Sequence, residues 1–123
     1  MIVAGFGFST RADTGSLREA LARACEAAGI AAPDALSTAE DKAAALGPLA
    51  KGLGLPVHPI PHESLIIQVT QTHSERVAAE RSTGSVAEAA ALAGAGPEAR
   101  LLTSRQHAED RLASCALAKG APS

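Results

Sequence analysis

The chain contains no tryptophan and no tyrosine, and its only aromatic side chains are Phe6 and Phe8. Modules that hold single-stranded nucleic acid stack bases on aromatic platforms, so that mode of binding is excluded. Nor is there an excess of positive charge. The 11 Lys and Arg stand against 13 Asp and Glu, a formal net charge of -2, so no partner with a phosphate backbone is expected. Long apolar runs are missing too. Met1-Ile2-Val3-Ala4 is too short to span a bilayer and has no basic stretch before it, so neither a membrane segment nor a secretory leader is expected. Cysteine is scarce. Cys25 and Cys115 lie far apart without a CxxC or zinc-type spacing, and they read as buried bystanders in a reduced, cytoplasmic protein. No metal and no bound cofactor is expected.

What remains is a chain of 123 residues, 46% hydrophobic and 20% charged. That composition specifies one folded domain, expected over residues 1–119, with 120–123 as a short flexible tail. The apolar run Ile2 to Phe6 reads as a buried opening strand. Ser16-Leu17-Arg18-Glu19 has the form of a capping box, and the helix that follows carries Leu17, Leu21, Ala24 and Ala28 on one face until Gly29 stops it. A short strand is expected over Asp34 to Thr38, then a helix start at Thr38. Pro48 to Leu53 reads as a short helix, and Leu55 to Ile60 as a strand that Pro56 and Pro59 confine to a sheet edge. Periodicity leaves Glu63 to Val69 open between helix and strand. Helices are expected over Ser74 to Glu80 and Ser85 to Ala93, the latter opened by a second capping box, Ser85 with Glu88. Arg100 to Thr103 and Arg111 to Lys119 read as the strands of a terminal hairpin. The alternation predicts an α/β fold: a three-layer α/β/α single domain with a mixed sheet and a C-terminal β-hairpin.

Three polar segments each follow a strand or open a helix: Gly5 to Ser16, Ser37 to Lys42 and Arg81 to Glu88. In open α/β sheets such segments gather beyond the carboxyl ends of the strands, and helix starts rich in Ser, Thr and Gly present amides to anions. The candidate ligand-binding residues are therefore Gly5, Gly7, Ser9, Arg11, Thr38, Asp41, Lys42, Thr83, Gly84 and Ser85, with Arg81 as a further cation. Asp41 and Glu88 are the acids in these segments that could act as a base, and for Glu88 the capping role comes first. Gly5-Phe6-Gly7 lacks the third glycine of a dinucleotide fingerprint. His58 and His62 are interrupted by Pro59 and Pro61, so no helix brings both rings to one face. His73 and His107 stand alone in polar surroundings.

Val3-Ala4-Gly5-Phe6-Gly7, Leu36-Ser37-Thr38-Ala39-Glu40-Asp41-Lys42 and Thr83-Gly84-Ser85-Val86-Ala87-Glu88-Ala89-Ala90, in this order, resemble the CobE family, which is similar to the C-terminal domain of the cobalamin-biosynthesis protein CbiG. The resemblance extends through Gly52-Leu53-Gly54-Leu55-Pro56 to Cys115-Ala116-Leu117-Ala118. It implies a role in corrin-ring construction, with a polycarboxylated corrinoid intermediate as ligand and other cobalamin-pathway enzymes as further partners. CbiG proteins open a corrinoid lactone and release acetaldehyde. Members often carry a cysteine and an arginine just after the first Gly-x-Gly, where Phe8 and Ser9 stand here, and a Pro-Lys pair where this chain has Ser104-Arg105. The resemblance therefore implies binding or carrying of an intermediate in the oxygen-dependent pathway. The alternatives are an enzyme acting on a corrinoid side chain or lactone, with Asp41 or Glu88 as base, and a docking module for a pathway methyltransferase.

Overall fold

The computed structural model describes residues 1–65, 82–96 and 98–120. The helix expected over Ser74 to Glu80, the cation Arg81 and the residues beyond Leu65 of the Glu63 to Val69 segment lie outside them.

The first strand, β1 (Ile2–Phe8), runs through both glycines of Gly5-Phe6-Gly7. It leads into α1 (Thr14–Ala28) and then β2 (Ala35–Ala39). A 3₁₀ segment (Glu40–Leu46) passes directly into α2 (Gly47–Leu53), followed by β3 (Val57–Ile60). Residues 62–65 form a helical turn. After α3 (Ser82–Ala95) come β4 (Arg100–His107) and β5 (Ala113–Lys119). The five strands form one sheet in the order β3-β2-β1-β5-β4. The pairs β1–β2 and β2–β3 are parallel, while β1–β5 and β4–β5 are antiparallel. This is the mixed sheet with a C-terminal hairpin that the alternation predicts, and β3 sits at its edge as its prolines require.

Side chains alternate across the sheet and define the layers. Ala4, Phe6, Leu36, Cys115 and Leu117 point to one face, where Leu17, Leu21 and Ala24 of α1 join Leu46 and Leu49 in the main core. Ala116 and Ala118 point to the other, where they meet Ala87 and Ala91 of α3. This second interface is built almost wholly from small residues, and its closest point is Gly5. A methyl group there would overlap the backbone N of Ala91 and O of Ala87, and would stand 2.8 Å from Ala91 Cα. Gly94 lies inside α3, where an added Cβ would meet Val3 Cγ1 at 2.9 Å. The stop is Gly96, at φ +99°. The buried Ser37 hydroxyl donates to the Ala90 carbonyl at 2.7 Å, fastening α3 to β2.

β4 runs on to His107, four residues past the expected end, and β5 begins at Ala113, while the starts of α1, α3 and the 3₁₀ segment also differ from the sequence reading. The cap of α1 is Asp13, whose carboxylate accepts the Ser16 N–H at 2.8 Å, so the helix opens two residues before Ser16. Ser85 lies within α3 and does not cap it, because that helix begins at Ser82. Thr38 continues β2, and the following 3₁₀ segment has Ala39 at its start with no side-chain cap. At the other end, Gly120 is buried and its N–H bonds the Met1 carbonyl at 2.9 Å, so the fold holds one residue beyond Lys119.

Replacing Gly5 with alanine forces α3 off the sheet, and the clash outweighs the roughly 0.5–1 kcal/mol that Gly→Ala gains by restricting the unfolded chain. Gly5→Ala should therefore lose several kcal/mol in denaturant unfolding, about 3 or more by comparison with other overpacked or strained cores. Gly52 lies inside α2, where an added Cβ would meet only the Arg18 guanidinium at 3.7 Å, so Gly52→Ala should be neutral or gain up to about 1 kcal/mol. Equal losses for both would refute this assignment.

Candidate functional site

The parallel strands β1, β2 and β3 all end on one edge of the sheet, at Phe8, Ala39 and Ile60. The contacts of α3 run in reverse along β1: Gly94 meets Val3, Ala91 and Ala87 meet Gly5, and Ala87 with Val86 meets Gly7. The start of α3 therefore lies at that same carboxyl edge, as do the starts of α1 and the 3₁₀ segment, which leave the ends of β1 and β2. β1 has a parallel neighbour on one side and an antiparallel one on the other, and its outgoing helix lies on the face opposite α3. Open α/β sheets form ligand crevices at such a place.

Several candidate residues meet there. Ser9 is exposed; its N–H donates to the Leu112 carbonyl at 2.9 Å and its hydroxyl oxygen accepts the Arg11 N–H at 3.0 Å. Arg11 and Asp41 are exposed. The Lys42 ammonium donates to the Phe8 carbonyl and stands 5.1 Å from the centre of the Phe8 ring, tying the 3₁₀ segment to the end of β1. Thr83, Gly84 and Ser85 contribute backbone to the opening turn of α3.

Other candidates serve the scaffold. Gly5 and Gly7 are strand residues beneath α3, not an open loop. Thr38 is buried and its hydroxyl donates to the Phe6 carbonyl at 2.9 Å. Glu88 lies mid-helix and fully buried, with its Oε2 accepting the Arg105 N–H at 3.2 Å. Between Thr103 and Gln106, β4 has one residue more than β5 opposite, a β-bulge that turns the Arg105 amide out of the ladder. Glu88 meets that amide from α3. The carboxylate thus reaches a strand bulge, while the Ser85 cap that the Ser-x-x-Glu spacing suggests lies within the helix.

Electrostatics separate the three helix starts. The Asp13 carboxylate occupies the first amides of α1, and its pKa lies below the usual carboxylate value because the Ser16 backbone N–H and hydroxyl bond its charged form. The 3₁₀ segment opens on Glu40 and Asp41. Both starts thus carry their own negative charge. The first turn of α3 carries no acid, which leaves it the start most receptive to an anion.

On the far side of β1 the structure gathers charges that spacing does not reveal. Arg105 and Arg111 both act on His107, whose pKa is lowered, first by loss of hydration on part of the ring and then by those two positive charges. The Arg23 guanidinium donates to the His107 carbonyl at 3.2 Å. His107 does not stand alone. The signal lay in Arg105-x-His107 with Arg111 four residues on, but only the hairpin turn makes these residues neighbours. Towards the opposite edge, His58 lies beside Ser37 in register, and among the described residues nothing hydrogen-bonds its buried Nε2. Among the same residues no three His, Cys, Asp or Glu side chains are grouped as a metal site would require.

The chain matches the family described as cobalamin synthesis G C-terminus over residues 2–118. Among solved structures, it is similar to the cobalamin biosynthesis protein chiG from Agrobacterium tumefaciens, at 33% identity and a TM-score of 0.78, over 99% of this chain and 100% of that one. It is similar to CobE, a protein from the cobalamin (vitamin B12) biosynthetic pathway, at 36% identity and a TM-score of 0.77, over 96% of this chain and 89% of the other. A putative cobalamin biosynthesis protein G homolog from Sulfolobus solfataricus shares the fold at 14% identity and a TM-score of 0.70, with 37% of that longer chain covered. No curated protein matches the chain.

Two outcomes follow from these assignments. Glu88→Ala should cost roughly 2–4 kcal/mol in unfolding, because it opens a buried space and strands the Arg105 N–H, while Glu88→Gln keeps an acceptor and costs less; equal losses would remove Glu88 from its place at the bulge. Asp13 stabilises the fold above the unfolded carboxylate value of about 4, and that contribution is lost as pH falls through its lower folded value. The Tm gap between wild type and Asp13→Ala should therefore be full at pH 7 and shrink as the pH drops below about 4. A gap that widens with acid would contradict the capping role.

Proposed function

The chain belongs to the cobalamin synthesis G C-terminal family, and we propose that it binds a polycarboxylated corrinoid and carries or shields it between steps of corrin-ring construction. The observation that carries this reading is the asymmetry of the carboxyl edge. Of three helix starts, two hold their own acids and one, α3, does not, and Arg11 and Lys42 are at the same edge. A carboxylate at that edge would meet helix amides and cations together.

Support for carrying over catalysis comes from what the acids are already doing. Glu88 is buried and holds a strand amide, so it is not placed as a solvent-facing base. Asp41 is exposed, and among the described residues no side-chain partner orients it as a base. The macrocycle of a corrinoid is broad and apolar, and with two phenylalanines in the whole chain it would rest mainly on aliphatic side chains, with only its rim held by charge. Free, buried thiols at Cys25 and Cys115 suit a reducing cytoplasmic setting.

The test is a titration followed by corrinoid absorbance, using a corrinoid whose side chains are free acids and its amidated counterpart. The acid should bind at least about tenfold more tightly, the equivalent of about 1.4 kcal/mol, and its affinity should fall as salt is raised from 0.05 to about 0.5 M. Absence of binding to either, or equal affinity for both, would overturn the reading. Turnover of the acid that Asp41→Asn abolishes would replace it with the enzymatic alternative.

A further inference from the structure

β1 and β2 stop pairing before either strand ends. Their parallel register runs from Val3 with Ala35 to Gly5 with Ser37. Beyond that point β1 stays paired with β5 as far as Phe8, and β2 with β3 as far as Ala39. The middle of the sheet therefore parts at the carboxyl edge. Side chains take the place of ladder bonds across this gap. The Thr38 hydroxyl donates to the Phe6 carbonyl at 2.9 Å, and the Lys42 ammonium donates to the Phe8 carbonyl. A neutral hydroxyl suffices for the first carbonyl; the second receives a full positive charge.

That charge has no counter-charge. Lys42 is half-buried, and its ammonium rests on the Phe8 carbonyl and over the Phe8 ring, 5.1 Å from the centre. Both contacts attract a cation and neither neutralises it. Glu40 and Asp41, the acids beside it in the chain, are exposed, and no acid among the described residues stands within ion-pair distance of Lys42. Arg11, past the end of β1, adds charge of the same sign. Asp13 is engaged by the Ser16 N–H. An ammonium drawn partly out of water is held more strongly by a carboxylate than by a carbonyl.

The pair stands on the face of the sheet opposite α3. Phe8 packs against the main core on the same side as Phe6 and Leu46, which ends the 3₁₀ segment. Phe6 is fully buried, so of the two aromatic rings Phe8 alone keeps exposed surface, and it keeps it beside the gap.

We propose that Phe8 and Lys42 form a carboxylate-anchoring site at the gap between β1 and β2. The ammonium leaves the Phe8 carbonyl and ring for a carboxylate of the ligand, and the uncovered ring receives the apolar part beside that carboxylate. The site deepens the corrinoid reading and rests on it for the identity of the ligand. A corrinoid rim would straddle the edge of the sheet, with one acid group at the start of α3 on one face and another at Lys42 on the other. Thr38 keeps the Phe6 carbonyl bonded throughout.

NMR of the Lys42 side chain tests the exchange. Protons over an aromatic ring are shifted upfield, so in the free protein the Lys42 ε-methylene signal should lie upfield of those of the exposed Lys51 and Lys119. Phe8→Leu should abolish the difference, which assigns the signal. Excess tricarballylate (propane-1,2,3-tricarboxylate), at an ionic strength held constant with chloride, should move it downfield as the ammonium leaves the ring. Lys42→Met keeps the apolar stem and should bind the probe about tenfold more weakly, as expected for one lost charge-assisted contact. Lys42→Arg keeps the charge and should bind more tightly than Lys42→Met. A wild-type Lys42 signal unmoved by tricarballylate, a reading that needs no variant to fold, would overturn the site, as would equal binding by wild type and Lys42→Met. If both bind the corrinoid acid equally well, the gap site fails while the corrinoid reading stands. If tricarballylate displaces Lys42 but no corrinoid binds, the gap site stands and the corrinoid reading fails.

Discussion

The close approach of α3 to β1 at Gly5 is the constraint on which the rest of the domain depends. Backbone meets backbone there, with Ala87 and Ala91 directly above the strand. Large side chains cannot enter this interface, so the helix gains its hold from contact area between small residues and from the buried Ser37 bond to the Ala90 carbonyl. The larger hydrophobes, Phe6, Leu17, Leu36, Leu46, Leu49 and Leu117, all join the main core with α1. At Gly5 the α3 face is held by proximity, and larger side chains return only towards its margins, where Ile60 and Leu65 meet Ala89 and Ala90.

Proximity also sets the geometry of the carboxyl edge. Because α3 lies so close, its start is brought to the ends of β1 and β2. Glu88 comes near enough to β4 to accept the amide that the bulge exposes. The same bulge alters the register of the hairpin ahead of His107 and the turn at Arg111. A single packing decision at Gly5 thus connects the helix start, the buried acid and the hairpin cations. The functional reading follows from their placement: Asp13 and Glu88 hold scaffold amides, while the first turn of α3 carries no acid and Arg11 and Lys42 stand at the same edge.

Much of the fold was legible in the chain because its signals are local. The apolar run opening β1, the stripe Leu17-Leu21-Ala24, the glycine ending α1 and the prolines around β3 each act through near neighbours, and all correspond to observed elements. The strand–helix alternation specified the mixed sheet, and the resemblance to the CobE and CbiG family is matched over nearly the whole chain. The site was legible only in part. Gly5 and Gly7 resemble a ligand loop in sequence and are packing glycines in space, because the helix that requires them is some eighty residues away. Ser85 and Glu88 have capping-box spacing, but α3 begins earlier, and the carboxylate instead finds a strand amide seventeen residues on. Asp13 took the capping role expected of Ser16 because it stands one turn earlier with a better acceptor. His107 gained its neighbours only when the hairpin closed. The misses at Gly5, Gly7 and Glu88 involve partners distant in sequence, where periodicity and spacing carry no information.

The most direct measurement of the central claim is a crystal structure of the protein with a free-acid corrinoid bound. The account places the macrocycle at the carboxyl edge, with one side-chain carboxylate on the opening amides of α3. A corrinoid seated on the outer face of α1, or at the opposite edge near Met1 and Asp34, would contradict it.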